Sequence, residues 1–104
     1  MSEQPKTGAA RGVPLPATSQ PITGITGTGP GPGEYLGMTV TAATGVTVIL
    51  YDNATTGSGL VLDAIVLPST GGAVSTNFPR PGREVINGIY ASISGGTPTG
   101  TVFQ

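Results

Sequence analysis

The stretch Val46-Thr47-Val48-Ile49-Leu50-Tyr51 decides the fold. β-Branched and aromatic residues of this kind fit a pleated, half-buried strand. The run ends at Asp52-Asn53-Ala54-Thr55-Thr56-Gly57, where short polar side chains and a glycine favour a backbone that reverses direction. The sequence therefore predicts a β-strand over 45–51 that leads into a hairpin loop.

The same texture extends outward from this strand toward both ends of the chain. Short runs rich in Val, Ile, Thr and Tyr alternate with clusters of Gly, Asn, Ser and Pro, and no segment has helical periodicity. The predicted strands cover residues 34–42, 45–51, 59–67, 73–78, 84–94 and 99–103. This pattern predicts an all-β fold, which we expect to be a small antiparallel β-sandwich or compact barrel (jelly-roll-like) with an extended N-terminal arm.

Two of the predicted strands are apolar on both faces. Side chains alternate across a strand, so residues 46, 48 and 50 face away from residues 47, 49 and 51. In the strand over 59–67, one predicted face holds Leu60, Leu62, Ala64 and Val66, and the other holds Val61, Asp63, Ile65 and Leu67. A two-layer fold needs only one apolar face per strand. The second face therefore predicts either a central strand of a closed barrel with contacts outside it, or packing against another copy of the chain.

Glycine and proline mark the remaining connections. Gly71-Gly72 and Gly95-Gly96 tolerate positive φ, and each pair predicts a hairpin loop. Pro79-Arg80-Pro81-Gly82-Arg83 contains two prolines that exclude it from a hydrogen-bonded ladder, so it predicts a crossing between sheets. Asn87-Gly88 interrupts a strand-like run and predicts a bulge or kink.

Residues 1–33 differ in composition from the rest of the chain. They hold six of the ten prolines and seven glycines, ending in Gly29-Pro30-Gly31-Pro32-Gly33. Such a segment is not expected to form a ladder or core on its own. The sequence predicts an extended Pro/Gly-rich arm over 1–33 and a body over 34–104, with the arm as a tether on a neighbouring protein. We expect the body to fold without the arm but not to bind its assembly.

The composition removes most catalytic chemistry. The chain has no Cys, His or Trp, so it lacks a thiol nucleophile and an imidazole base. Charged residues make up 9% of the sequence, against about 25% in a typical soluble domain, which predicts a surface covered by partners. The net charge of −1 gives no basic field for nucleic acid, and the apolar stretch 60–67 is too short to span a bilayer. We expect a soluble single-domain protein that is not an enzyme and binds neither nucleic acid nor membrane.

Three polar residues of the body are weak candidates for a metal site. Asp52, Asn53 and Asp63 offer fewer oxygen ligands than calcium requires. Asp52 and Asn53 are predicted turn formers instead. Asp63 lies in an apolar strand, which predicts either a guard of an edge strand or an ion pair with Arg80 or Arg83.

Two further features resemble functional motifs without the context that those motifs need. Glu34 and Glu84 are the only glutamates of the body, and the sequence does not place them near each other, as a glycosidase pair requires. The glycines of residues 27–33 do not join a strand to a helix, as a phosphate-binding loop does. The sequence therefore predicts no catalytic, cofactor-binding or metal-binding residue.

Four runs of the body carry a resemblance to a known group of proteins: Val46-Thr47-Val48-Ile49-Leu50-Tyr51-Asp52-Asn53, Gly59-Leu60-Val61-Leu62, Gly88-Ile89-Tyr90-Ala91-Ser92-Ile93-Ser94-Gly95-Gly96 and Thr101-Val102-Phe103-Gln104. In these runs the chain resembles the small β-rich virion proteins of tailed bacteriophages, especially the capsid decoration (cement) proteins. The resemblance covers about residues 33–104 and includes no catalytic signature.

The resemblance implies a structural protein that is made in the host cytoplasm and docks on the capsid exterior, on the major capsid protein or another virion assembly. It implies clustering at local symmetry axes, often as a trimer, and bridging of capsid subunits that stabilises the head. It implies no individual binding residue. The alternative is a phage tail, fibre or receptor-binding module that binds carbohydrate through loops 52–58 or 95–99, but these loops carry no aromatic residue.

Overall fold

The computed structural model describes residues 12–22, 33–79 and 82–104. Its ten strands are β1 (Gly12–Pro14), β2 (Gln20–Pro21), β3 (Gly33–Tyr35), β4 (Gly37–Ala42), β5 (Val46–Tyr51), β6 (Val61–Leu67), β7 (Gly72–Ser75), β8 (Arg83–Val85), β9 (Tyr90–Ser94) and β10 (Thr99–Phe103). Within these residues, no helix long and apolar enough to cross a membrane is present.

Eight of the strands form two four-stranded sheets that enclose one core. Sheet I has the strand order β1-β10-β4-β7 and sheet II has the order β2-β9-β5-β6, while β3 and β8 form a separate two-stranded ribbon. Neighbouring strands are antiparallel throughout. The core contains Leu15, Ile22, Tyr35, Met38, Val40, Val46, Val48, Leu50, Leu62, Ile65, Leu67, Val85, Ile89, Ala91 and Val102.

Four connections cross from one sheet to the other at the same end of the sandwich. They join β1 to β2, β4 to β5, β6 to β7 and β9 to β10. The register places them together, because the last residues of β4 pair with Thr99 at the start of β10 and Gly72 at the start of β7. Facing strands are thus consecutive in the chain, which is the arrangement of a jelly roll. The predicted antiparallel β-sandwich is confirmed.

The predictions of loop type have mixed outcomes. The loop over 52–57 joins neighbouring strands β5 and β6, so the predicted hairpin is confirmed. Gly71-Gly72 and Gly95-Gly96 connect strands of different sheets, so the prediction that they form hairpins is wrong. Gly71 has a φ of 78°, and a Cβ at this position would clash with the Ala42 carbonyl oxygen. Positive φ therefore serves a close crossing between sheets here.

Two predicted strands are interrupted. The strand predicted over 34–42 breaks at Leu36 into β3 and β4, and the strand predicted over 84–94 breaks at residues 86–89 into β8 and β9. The second break contains Asn87-Gly88, which the sequence predicts as a kink. Within the crossing predicted over residues 79–83, residues 80–81 lie outside the described part of the chain.

A register shift between Leu50 and Tyr51 changes the faces of β6. Leu62 is buried at 2% exposure together with Ile65 and Leu67. The prediction that Leu62 shares a face with Ala64 and Val66 is therefore wrong, because strict alternation fails at a bulge.

Residues 12–22 supply the outermost strands on one side of both sheets, which the sequence pattern does not predict. β1 pairs with β10 and β2 pairs with β9. The Leu15 amide donates to the Gly100 carbonyl (3.0 Å), and the Ile22 amide donates to the Ile89 carbonyl (2.9 Å). Both side chains enter the core, so this part of the predicted arm is built into the sandwich.

Proline fits these two strands because of its position in the ladder. Pro14 and Pro21 each lie one residue before an amide that bonds to the sheet. Alternate residues of an antiparallel strand direct their backbone groups to opposite sides, so an N–H at either proline would point away from the sheet. The absent donor costs no ladder hydrogen bond there. Residues 1–11 and 23–32 of the predicted arm lie outside the described residues.

Candidate docking surfaces

Across β6, β5 and β9, the outer face of sheet II carries nine side chains, none of them acidic or basic. Three rows of register partners define this surface, called here the sheet II face: Val66-Thr47-Ser94, Ala64-Ile49-Ser92 and Val61-Tyr51-Tyr90. The intervening residues of β5, namely Val46, Val48 and Leu50, are buried in the core. The strand thus has a second, largely apolar face, as the sequence predicts.

Apolar side chains on the sheet II face are open to solvent along β6. Val66 is 68% exposed and Val61 is 45% exposed, and Leu60, which precedes Val61 in the chain, is 67% exposed. Large aliphatic side chains grouped in this way on an uncharged surface mark sites of protein contact. The sheet II face is therefore the first candidate docking surface.

The loop between β5 and β6 is held by its own side chains. The Asn53 Oδ1 accepts hydrogen bonds from the amides of Thr55 (2.9 Å) and Thr56 (3.0 Å), which confirms Asn53 as a turn former. The buried Asp52 carboxylate instead accepts from the amides of Ile86 (3.2 Å) and Asn87 (2.7 Å), across the break between β8 and β9. Asp52 therefore fixes a second loop rather than its own turn.

Asp63 anchors a polar network between β6, the ribbon and the segment after β7. Its Oδ2 accepts hydrogen bonds from the Tyr35 hydroxyl (2.7 Å) and the Thr76 hydroxyl (2.6 Å). Burial raises the pKa of the Tyr35 hydroxyl well above its usual range, and Asp63 adds to this effect. Its Oδ1 accepts from the Ala64 amide (2.8 Å), which occupies a backbone donor of an outer strand as an edge guard does.

The partners of Asp63 are 28 and 13 residues away in sequence. A single tyrosine and a single threonine at such distances give no periodic signal, so sequence reasoning did not find them. Of the two predicted ion-pair candidates, Arg83 lies over the Phe78 ring at 5.0 Å from its centroid. Arg80 lies outside the described residues.

The structure brings Glu34 and Glu84 together, although no sequence pattern predicts their proximity. They are direct register partners in the β3–β8 ribbon. Like charges opposite each other destabilise a strand pair. Glu84 is exposed to solvent and Glu34 is half-buried. Glu34 also makes a further contact of its own. The pair is not part of a larger carboxylate cluster in the described residues.

Asp52 and Asp63 are engaged by hydrogen bonds within the fold. Across residues 12–22, 33–79 and 82–104, no group of three or more His, Cys, Asp or Glu side chains is arranged to hold a metal ion. Neither a protein-family model nor a curated protein or a solved structure matches the chain.

Proposed function

We propose that the chain is a structural virion protein of the capsid decoration type, which docks on the major capsid protein lattice and stabilises the head. The proposal places it on the capsid exterior as a homo-oligomer, with a trimer favoured. The jelly roll does not select this function by itself, because the same fold serves capsid, lectin and enzyme domains. The function therefore has to be argued from the surface of the sandwich.

The observation that carries the proposal is the sheet II face. Its nine residues include no acidic or basic side chain, and Val66 at its outer margin is 68% exposed. A protein that works alone in solution gains from charges on such a face, whereas a protein that is covered in its assembly does not. Identical uncharged faces meet without like-charge repulsion, so copies of the chain can pack together through them.

The test is sedimentation of the purified protein, first alone and then mixed with undecorated heads of the tailed phage that encodes it. We expect an oligomer in free solution and co-migration with heads at a fixed copy number. Val66→Glu places a carboxylate on the sheet II face, and we expect it to convert the oligomer to monomer because the charge loses hydration on burial.

Ile86→Glu is the matched control, since Ile86 is 59% exposed but lies outside the sheet II face. We expect this control to keep the oligomer. If the two variants have the same oligomeric state, the sheet II face is not the interface of the oligomer. A stable free oligomer that ignores heads would instead favour a tail, fibre or receptor-binding module.

A further inference from the structure

The free side of β7 presents backbone groups with no strand beside them. The amides of Thr76 and Phe78 donate to carbonyls in and just before β4, at 2.9 and 2.8 Å. Because alternate residues of an antiparallel strand point to opposite sides, the amides and carbonyls of Ala73, Ser75 and Asn77 point away from the sheet. In the described part of the chain, the strand order of sheet I ends at β7.

Val74 shows that this side of the sandwich is open. Its register partner Val40 is fully buried, so Val74 is directed toward the interior. Val74 is nevertheless 40% exposed, because β7 is flanked on one side only. One more strand next to β7 would cover this side chain while it bonded to residues 73, 75 and 77.

A groove of about 410 Å³ opens on the outer face of sheet I and reaches from β7 across β4 to β10. Ser75 and Asn77 line it together with Thr39, Phe78 and Phe103. Proteins that bind an extended peptide at a sheet edge use the edge for main-chain hydrogen bonds and neighbouring pockets for alternate side chains. The segment over residues 72–78 has both components, a free edge and a groove on the outer face of its sheet.

Other outer strands of the two sheets carry guards that β7 lacks. Pro14 in β1 and Pro21 in β2 occupy outward-facing positions of the ladder, and the Ala64 amide of β6 is taken by the Asp63 carboxylate. Between Gly72 and Phe78 the chain has neither a proline nor a charged residue. Natural sheets blunt their edges with such residues, so an unguarded edge indicates a site where pairing is used.

We propose that an extended, uncharged segment of a partner polypeptide in the virion assembly adds to sheet I as a strand beside β7. This rests on the proposed function and specifies how the module would dock. The strip over residues 72–78 and the lining of the groove contain no charged side chain. Nearby, the Asp63 carboxylate is already hydrogen-bonded within the fold and Arg83 lies over the Phe78 ring. A charge on the incoming segment would therefore lose hydration at a strip that has no charge of its own to pair with it, which selects an uncharged segment.

Ser75→Pro tests the proposal, because it gives β7 the residue that β1 and β2 already have. The substitution removes an amide that faces the partner and leaves the hydrogen bonds from β7 to β4 in place. Ser75→Ala is the matched control, since it removes the hydroxyl and keeps the amide. In co-sedimentation with undecorated heads, we expect Ser75→Pro to weaken binding by at least about tenfold and Ser75→Ala by less than about twofold.

Each other outcome counts against the proposal in a distinct way. If the natural chain does not co-sediment, the proposed function fails and the strand addition fails with it. If the natural chain and Ser75→Pro bind equally, the strand addition alone is overturned. If both variants lose binding, the Ser75 side chain is recognised and a ligand such as a glycan in the groove replaces the strand. If Ser75→Pro loses self-association and keeps head binding, the occupant is a second copy of this chain.

A second variant covers the case in which Ser75→Pro does not fold. Ala73→Pro removes another outward-facing amide of β7, and Ala73 does not line the groove. We expect the same loss of head binding from Ala73→Pro, with unfolding in urea measured for each variant to establish that it is folded. Binding of folded Ala73→Pro at the natural level would overturn the proposal.

Discussion

The two sides of the sandwich contrast in how their outer strands are finished. On one side the chain's own residues 12–22 add a strand to each sheet, and each strand carries a proline whose nitrogen faces away from the sheet. On the other side β7 ends sheet I with outward-facing amides at residues 73, 75 and 77. The same backbone chemistry is therefore blocked at Pro14 of β1 and Pro21 of β2 and available at β7.

The contrast changes the interpretation of the N-terminal segment. From composition, residues 1–33 are expected to act as one arm that the body can do without. Leu15 and Ile22 are instead 7% and 6% exposed in the core. The part of the segment that the structure describes thus contributes to folding, and a partner contact has to be sought on the open side.

Removal of residues 1–22 should produce the largest effect. It deletes both strands of the closed side and two core side chains, and each such side chain contributes about 2–5 kcal/mol to stability. Since a small domain has about 5–15 kcal/mol in total, we expect the truncated chain to show no cooperative unfolding transition in urea.

Two point variants separate the stability contributed by a core side chain from the effect of shortening the chain. We expect Leu15→Ala to cost about 2–5 kcal/mol. Thr18→Ala, at an exposed position in the same connection between β1 and β2, should stay within about 0.5 kcal/mol. A truncated chain that unfolds with the natural midpoint would show that residues 12–22 are dispensable, as composition alone suggests.

A smaller effect on stability is expected from the ionisation of Tyr35, whose hydroxyl donates to Asp63 on the open side. Tyr35 stays protonated in the folded protein because burial raises its pKa, whereas in the unfolded chain its hydroxyl ionises near pH 10.0. Above that pH the unfolded state binds fewer protons, so stability falls by up to about 1.4 kcal/mol per pH unit from this group.

Tyr35→Phe removes this contribution, so we expect the stability difference between the natural chain and the variant to shrink above pH 10. Tyr90→Phe, on the sheet II face, is the matched control. Urea unfolding between pH 8 and about pH 11 measures the slopes. Parallel curves for the natural chain and Tyr35→Phe would contradict the buried position of the hydroxyl.

The fold was largely predictable from sequence because strand periodicity and turn residues are local signals. Residues 45–51 and 99–103 form strands close to their predicted bounds, as β5 and β10. Gly71-Gly72 and Gly95-Gly96 connect different sheets, which was not predictable from sequence. A glycine allows the chain to turn but does not determine which sheet the next strand joins. Strand order had to come from the structure.

The candidate surfaces were predictable to different degrees. The sheet II face follows from alternation in β5, up to the bulge that moves Leu62 into the core. The open side of β7 was not predictable, because the direction of an amide depends on which strand lies beside it. For the same reason, Pro14 and Pro21 look like breakers in sequence and fit as outward-facing positions in the ladder.

Amide hydrogen exchange in the free protein tests the contrast between the two sides most directly. We expect fast exchange at Ala73, Ser75 and Asn77, and exchange slower by at least about 100-fold at Val74 and Thr76 and at Leu15 and Ile22 of the closed side. Addition of undecorated heads should then slow the exchange of residues 73, 75 and 77. Uniform protection along residues 73–77 in the free protein would contradict an open side at β7.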